Sequence, residues 1–156
     1  MAVPDLQHHG GVDSFMTASG ARIETLSLDL AQAFLDRHGL TDYRPGPFDL
    51  AWGAFEDAGR LIGAGVLAKV TTPRGRIWIA VAPERRRLGV GSELASLIVT
   101  AAQGRGLRYL TCRYRASDAA PHHLAGSLGL PLARRVDQEG MWMVIVLARN
   151  EKGEMR

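Results

Sequence analysis

The chain is 156 residues long, 46% hydrophobic and 22% charged, which suffices to core one domain and falls short of two. Its formal net charge of +3 is too small to mark a nucleic-acid-coating protein, and no apolar run is long enough for a membrane helix. A single cysteine, Cys112, excludes an internal disulfide, and with no basic-then-apolar leader at the N-terminus a cytoplasmic protein is expected.

Residues 1–20 mix Pro4, His8, His9, Gly10 and Gly11 with few apolar side chains. They read as a loosely held arm, in which Val12–Met16 can add a short edge strand. His8 and His9 are read as solvated, because neighbours in an extended segment point oppositely and no third ligand is close in sequence. The domain is expected over residues 21–149, with a polar tail over 150–156.

Ala21–Leu26 predicts a strand, and Ser27 is a good N-cap for a helix whose apolar face is Leu28, Ala31, Phe34 and Leu35. Gly39 should stop that helix. Leu40–Pro47, with Pro45, Gly46 and Pro47, predicts a rigid irregular crossing. Phe48–Phe55 and Leu61–Val70 then predict a hairpin turning at residues 56–60, and Gly63 and Gly65 in its second strand allow another element to come close.

The next stretch organises the chain. An apolar strand, Ile77–Val81, runs into Ala82-Pro83-Glu84-Arg85-Arg86-Arg87-Leu88-Gly89-Val90-Gly91-Ser92, and a helix with Leu94, Leu97, Ile98, Ala101 and Ala102 on one face follows. Glycines two apart let successive N–H groups converge, and the helix start adds positive dipole, so this loop suits an anion with several oxygens. The charge distribution agrees: residues 1–75 hold six Lys/Arg against nine Asp/Glu, whereas residues 76–156 hold thirteen against seven.

Val81, Pro83, Arg86, Gly89, Gly91 and Leu94 fall at the positions of V-x-P-x-x-R/Q-x-x-G-x-G/A-x-x-L. The stretch thereby resembles the acyl-coenzyme A loop of the GNAT acetyltransferase superfamily. The resemblance implies that Arg86, Arg87, Leu88, Gly89, Val90, Gly91 and Ser92 hold the coenzyme A pyrophosphate, and that Ile79, Ala80 and Val81 pair with the pantetheine arm. It also implies acetyl-coenzyme A as co-substrate, with no metal.

The helix is expected to end at Gly104-Arg105-Gly106, and Leu107–Cys112 predicts a strand parallel to Ile77–Val81. In the resembled fold these two strands splay. Residues 117–130 predict a further helix capped by Ser117 or Asp118 and stopped by Gly129. This segment is similar to the family's N-x-x-A-x-x-F-Y-x-x-x-G-F run, which places Asp118 at the asparagine position, among the cofactor-binding residues. Ala125 stands where many members carry the tyrosine that protonates the leaving thiolate, so the catalytic acid is unassigned; His122 and Tyr114 are candidates. For the base, Glu24, Asp49, Glu56, Asp137 and Glu139 are all available, and none stands out. Cys112 reads as a core residue rather than a nucleophile, and direct transfer without a covalent enzyme intermediate is what the resemblance implies.

Leu132–Val136 and Met141–Ala148 predict a closing hairpin whose second strand, Met141-Trp142-Met143-Val144-Ile145-Val146-Leu147, looks buried on both faces. Together the elements predict an α/β, GNAT-like domain: a mixed, mainly antiparallel sheet with a central βαβ cofactor unit and flanking helices. The expected function is N-acetyl transfer from acetyl-coenzyme A to a primary amine of a small molecule or protein. A catalytically weak coenzyme A sensor is the alternative. No membrane or nucleic-acid partner is expected, and a homodimer is compatible with the apolar last strand.

Overall fold

Flanking residues set where the helices start and stop. In the computed structural model, which describes residues 14–16, 20–86, 89–114, 126, 128–138 and 140–147, α1 spans Leu28–Arg37. The Ser27 hydroxyl accepts the Leu30 N–H at 3.2 Å, satisfying one of the donors that a helix start leaves without an internal partner. At the other end Gly39 adopts φ +89°. Its left-handed turn lets the Leu40 N–H donate back to the Leu35 carbonyl at 2.9 Å, a glycine stop of the expected kind. Ala31, Phe34 and Leu35 form the buried face. α2, Val90–Gly104, closes in a similar way, with the Leu107 N–H donating to the Ala102 carbonyl at 3.0 Å.

Residues 40–49 contain no helix. The crossing is tied by Asp49, whose Oδ2 accepts both the Tyr43 hydroxyl and the Gly46 N–H, each at 2.7 Å. Burial, helped by the hydrogen bond to Asp49 and its charge, raises the Tyr43 phenol far above its ordinary range, so that hydroxyl remains a donor.

The strands are β1 (Ser14–Met16), β2 (Arg22–Thr25), β3 (Leu50–Phe55), β4 (Leu61–Thr71), β5 (Arg74–Val81), β6 (Tyr109–Tyr114), β7 (Leu132–Asp137) and β8 (Gly140–Val146). They form one sheet in the order β1-β2-β3-β4-β5-β6-β8-β7, antiparallel except for the β5–β6 pair. β1 is the short edge strand anticipated within the N-terminal arm. β6 begins later than expected, because Leu107 is used in closing α2 while the Arg108 and Tyr109 N–H groups share the Pro73 carbonyl at 2.7 and 3.1 Å.

The last hairpin also corrects an expectation. β8 lies between β6 and β7, and Trp142, Met143 and Ile145 are buried, but Val144 and Val146 are only half-buried. Met143 and Ile145 belong to the α2-side core. The opposite side of this part of the sheet carries no described helix, so the strand is not buried on both faces.

Two cores flank the sheet. On one side α1 brings Phe34 and Leu35 against Ala64, Val66, Trp78 and Ala80. On the other, α2 brings Leu94, Ile98 and Ala102 against Leu67, Ile77 and Leu110. The small residues of β4 allow α2 this approach: a Cβ on Gly65 would lie 3.0 Å from Ile98 Cδ1, and one on Gly63 would lie 3.1 Å from Val90 Cγ1. A strand glycine costs about 0.5–1 kcal/mol of backbone entropy. Burying Leu94 or Ile98 contributes about 1.5–3 kcal/mol each, so close packing wins. Gly65→Val is therefore expected to overpack this contact and lower the unfolding free energy by about 1–3 kcal/mol, measured as a fall in urea midpoint at unchanged slope.

Candidate cofactor site and its acceptor side

The β5-α2-β6 unit parts at one end. β5 and β6 pair at Arg74 with Tyr109, Gly75 with Leu110 and Arg76 with Thr111. β5 then continues to Val81 and β6 to Tyr114 without pairing to each other. On its other edge β5 stays paired with β4 as far as Val81 opposite Gly63. The Ala82 N–H donates to the Ile62 carbonyl at 2.8 Å. By the alternation of an antiparallel ladder, Trp78 and Ala80 then turn their backbone groups toward β4, while Ile79 and Val81 turn theirs into the gap. Of the three residues expected to meet the cofactor here, Ile79 and Val81 turn main-chain donors and acceptors into the gap. Ala80 does not: its backbone faces Ala64 and its side chain is buried on the α1 side.

At the same end of β5, Pro83–Arg85 forms a single 3-10 turn and α2 begins at Val90. Gly89, the N-cap, has φ +92° and supplies no side-chain cap. The first internal bond of α2 is from the Glu93 N–H to the Gly89 carbonyl at 3.0 Å. The helix thus opens with the main-chain donors of Val90 and Gly91 and the positive end of its dipole beside the mouth of the gap. Ser92 lies in this first turn, half-buried. Arg87 and Leu88 lie outside the described residues, as do Asp118, His122, Ala125 and Glu139. Tyr114 and Asp137 are placed by backbone alone, at the ends of β6 and β7.

A second cluster occupies the opposite face of the gap. Asp42, in the crossing after α1, accepts the Trp78 Nε1–H at 2.9 Å and a hydrogen bond from the Arg76 guanidinium, and Arg113 Nη1 stands 3.7 Å from its Oδ2. Burial pushes the Asp42 carboxyl up, but the Trp78 hydrogen bond and the Arg76 charge outweigh it and hold the group below the ordinary aspartate range. The Arg76 guanidinium lies between two indoles, 4.3 Å from the Trp78 ring centroid and 4.6 Å from that of Trp142. Trp78 belongs to the β5 wall of the gap and Arg113 to the β6 wall, so Asp42 spans the two. Sequence reasoning missed this cluster because Asp42 meets partners 34 and 36 positions away, and no local pattern joins them.

Three of the carboxylates considered as bases, Glu24, Asp49 and Glu56, are engaged elsewhere. Glu24 pairs with Arg22, Asp49 ties the crossing, and Glu56 accepts from Arg60 at 2.9 Å and also from Arg85. Hydrogen bonds from Arg60 and Arg85 hold the Glu56 carboxyl below its usual range. Cys112 is half-buried and packs against the α2-side core, as expected.

The consecutive arginines of the loop do different work. Arg85 is tied to Glu56, and Arg60 joins Glu56 to Glu84 through a 2.7 Å bond, so the β3–β4 turn braces the 3-10 turn. Arg86 is exposed, and its Nε donates to the Val81 carbonyl at 3.2 Å. At the end of α1, burial first and then the charges of Arg37 and Arg86 push the His38 imidazole below its ordinary value. Because the brace is solvent-exposed, its effect should be modest and sensitive to salt. If the gap holds acetyl-coenzyme A, Glu56→Gln is expected to weaken its binding about two- to five-fold at low ionic strength, with the difference shrinking in a calorimetric titration at high salt.

The sequence matches a family model and the fold is similar to solved structures. The family model described as Acetyltransferase (GNAT) family matches residues 20–130. The fold superimposes on the ribosomal-protein-S18-alanine N-acetyltransferase from Escherichia coli with a TM-score of 0.65 at 20% identity, covering 87% of this chain and 99% of that one. It superimposes on the GNAT domain of S. lividans PAT with a TM-score of 0.66 at 13% identity, covering 87% and 97%. For nourseothricin acetyltransferase the TM-score is 0.57 at 24% identity, covering 68% and 69%. No curated protein matches the chain in sequence. The matched family model, the parted β5–β6 pair and the glycine-started α2 together establish that the chain belongs to the GNAT acetyltransferase family.

Proposed function

We propose that the protein transfers an acetyl group from acetyl-coenzyme A to a primary amine. The observation that carries this reading is the meeting, at one end of β5, of backbone at Ile79 and Val81 that no described strand pairs on that edge with a start of α2 at Gly89 that has no side-chain cap. An acyl carrier with a diphosphate and an amide-bearing arm needs both features, one for each part. Val90 and Gly91 N–H groups and the Arg86 guanidinium take the phosphate oxygens, and Ile79 and Val81 bond to the arm in the manner of a short strand. Arg86 at present donates to the Val81 carbonyl; an amide of the arm can replace that donor and release Arg86 toward the phosphates.

The acceptor approaches from the Asp42 side of the gap. Its neutral amine attacks the thioester carbonyl carbon, an amide C–N bond forms, the C–S bond breaks, and the amine proton goes by way of solvent to the thiolate. Asp42 is a poor proton acceptor because its carboxyl is held low, and it is better suited to facing the incoming ammonium.

A second reading, a coenzyme A sensor with weak chemistry, draws on Ala125 at the family's tyrosine position and on the engagement of Glu24, Asp49 and Glu56 by other groups. Thiol release from acetyl-coenzyme A against a broad amine panel separates the two: efficient acetylation of any amine excludes the sensor. For the donor site, calorimetry should detect acetyl-coenzyme A binding to the wild type and at least about tenfold weaker binding to Gly89→Val/Gly91→Val, given a cost of roughly 1–2 kcal/mol for a side chain in the left-handed region. Unchanged binding in that variant would remove the assignment.

A further inference from the structure

We propose that the acceptor amine carries a carboxylate, and that Arg113 and Arg76 receive it at the foot of the β5–β6 gap. This rests on the acetyl-transfer reading and names the chemical class of its acceptor. Arg76 is the last β5 residue paired with β6, and Arg113 lies two residues past its partner Thr111. Both side chains lie on the α1 side of the sheet: Arg76 stacks on Trp78, and Arg113 stands opposite Trp142 in the β6–β8 ladder. An acceptor reaching a thioester in the gap from this side meets the exposed Arg113 guanidinium, with that of Arg76 behind it.

The balance of charge calls for an anion. Among the described side chains of this cluster, Asp42 is the carboxylate that faces both Arg76 and Arg113. It hydrogen-bonds Arg76 and Trp78 but remains 3.7 Å from Arg113, beyond a hydrogen bond. Arg76 Nε is buried and has no hydrogen-bond partner among the described residues, whereas the Arg113 side chain is 46% exposed. A planar guanidinium fork at Arg113 matches a carboxylate in two-point contact. The indoles of Trp78 and Trp142 exclude water from one side of the cluster and strengthen that contact. Asp42 then lies beside the bound carboxylate, where it favours the neighbouring ammonium of an amino-acid-like acceptor. The shared chemistry has two sources, free amino acids and peptides with Asp or Glu next to the amino terminus.

The test uses the full chain, acetyl-coenzyme A and matched pairs: the natural amino acids against their carboxamides, and Ala-Asp and Ala-Glu peptide amides against Ala-Asn and Ala-Gln. The expected result is a kcat/KM at least tenfold higher for the carboxylate member of the preferred pair. Arg113→Gln should bring the ratio toward one, Arg113→Lys should restore part of it, and acetyl-coenzyme A affinity should change less than twofold in either variant. Acetylation with no carboxylate preference, or a preference that survives Arg113→Gln, overturns the proposal and leaves the acetyl-transfer reading standing. If acetyl-coenzyme A binds but no member is acetylated, calorimetric titration of the same pairs into the coenzyme A-loaded protein decides: carboxylate-dependent binding lost in Arg113→Gln upholds the site, and its absence overturns it. Failure to bind acetyl-coenzyme A contradicts the acetyl-transfer reading itself and removes the basis of the proposal.

Discussion

Two parallel strands that stay bonded for only three residue pairs leave main-chain groups that the sheet itself does not satisfy. Polar backbone inside a fold needs partners, and at Ile79 and Val81 those groups face a gap with a helix start at its mouth. The rest of the architecture maintains this parting. β4 holds the other edge of β5 to its end, so β5 stays extended after β6 has left it. Gly63 and Gly65 let α2 lie close against β4, which sets the position of its first turn relative to the gap. The β3–β4 turn fastens the segment between strand and helix through Glu56, Arg60, Glu84 and Arg85.

Charge is divided across the two faces of this gap. On the α2 side the positive groups are a helix terminus and Arg86, arranged for a flexible, many-oxygen anion. On the α1 side they are guanidinium groups fixed by stacking on indoles and by one carboxylate, a more rigid setting that favours a small ligand of defined shape. In the proposed reaction the first set meets the donor and the second the acceptor. Arg85 shows that charge in the loop is not by itself a sign of ligand contact: its partner is Glu56 and its work is structural.

What could be read in the sequence was what local chemistry determines. The Ser27 cap, the glycine stop at Gly39, the helix-free crossing through Pro45 and Pro47, and the left-handed Gly89 each follow from a few adjacent residues. The matches from Val81 to Leu94 carried the family for the same reason. Long-range pairing was less legible. The apolar run of β8 suggested burial on both faces, yet its place between β6 and β7 explains that composition with one face only partly covered. The start of β6 moved because Leu107 is needed to close α2. Asp42 carried no signal, since it acquires meaning only when β5 and β6 bring Arg76, Trp78 and Arg113 beneath it.

The central claim is that the parted strand ends and the start of α2 form one donor site. Amide hydrogen exchange at single-residue resolution, with and without saturating acetyl-coenzyme A, tests it most directly. The account predicts that exchange slows by at least about tenfold at Ile79, Val81, Val90 and Gly91 together, while the edge-strand amides of β1 and β7 keep their rates. Saturation that leaves the Ile79 and Val81 amides unchanged, or that protects a different part of the sheet, would contradict it.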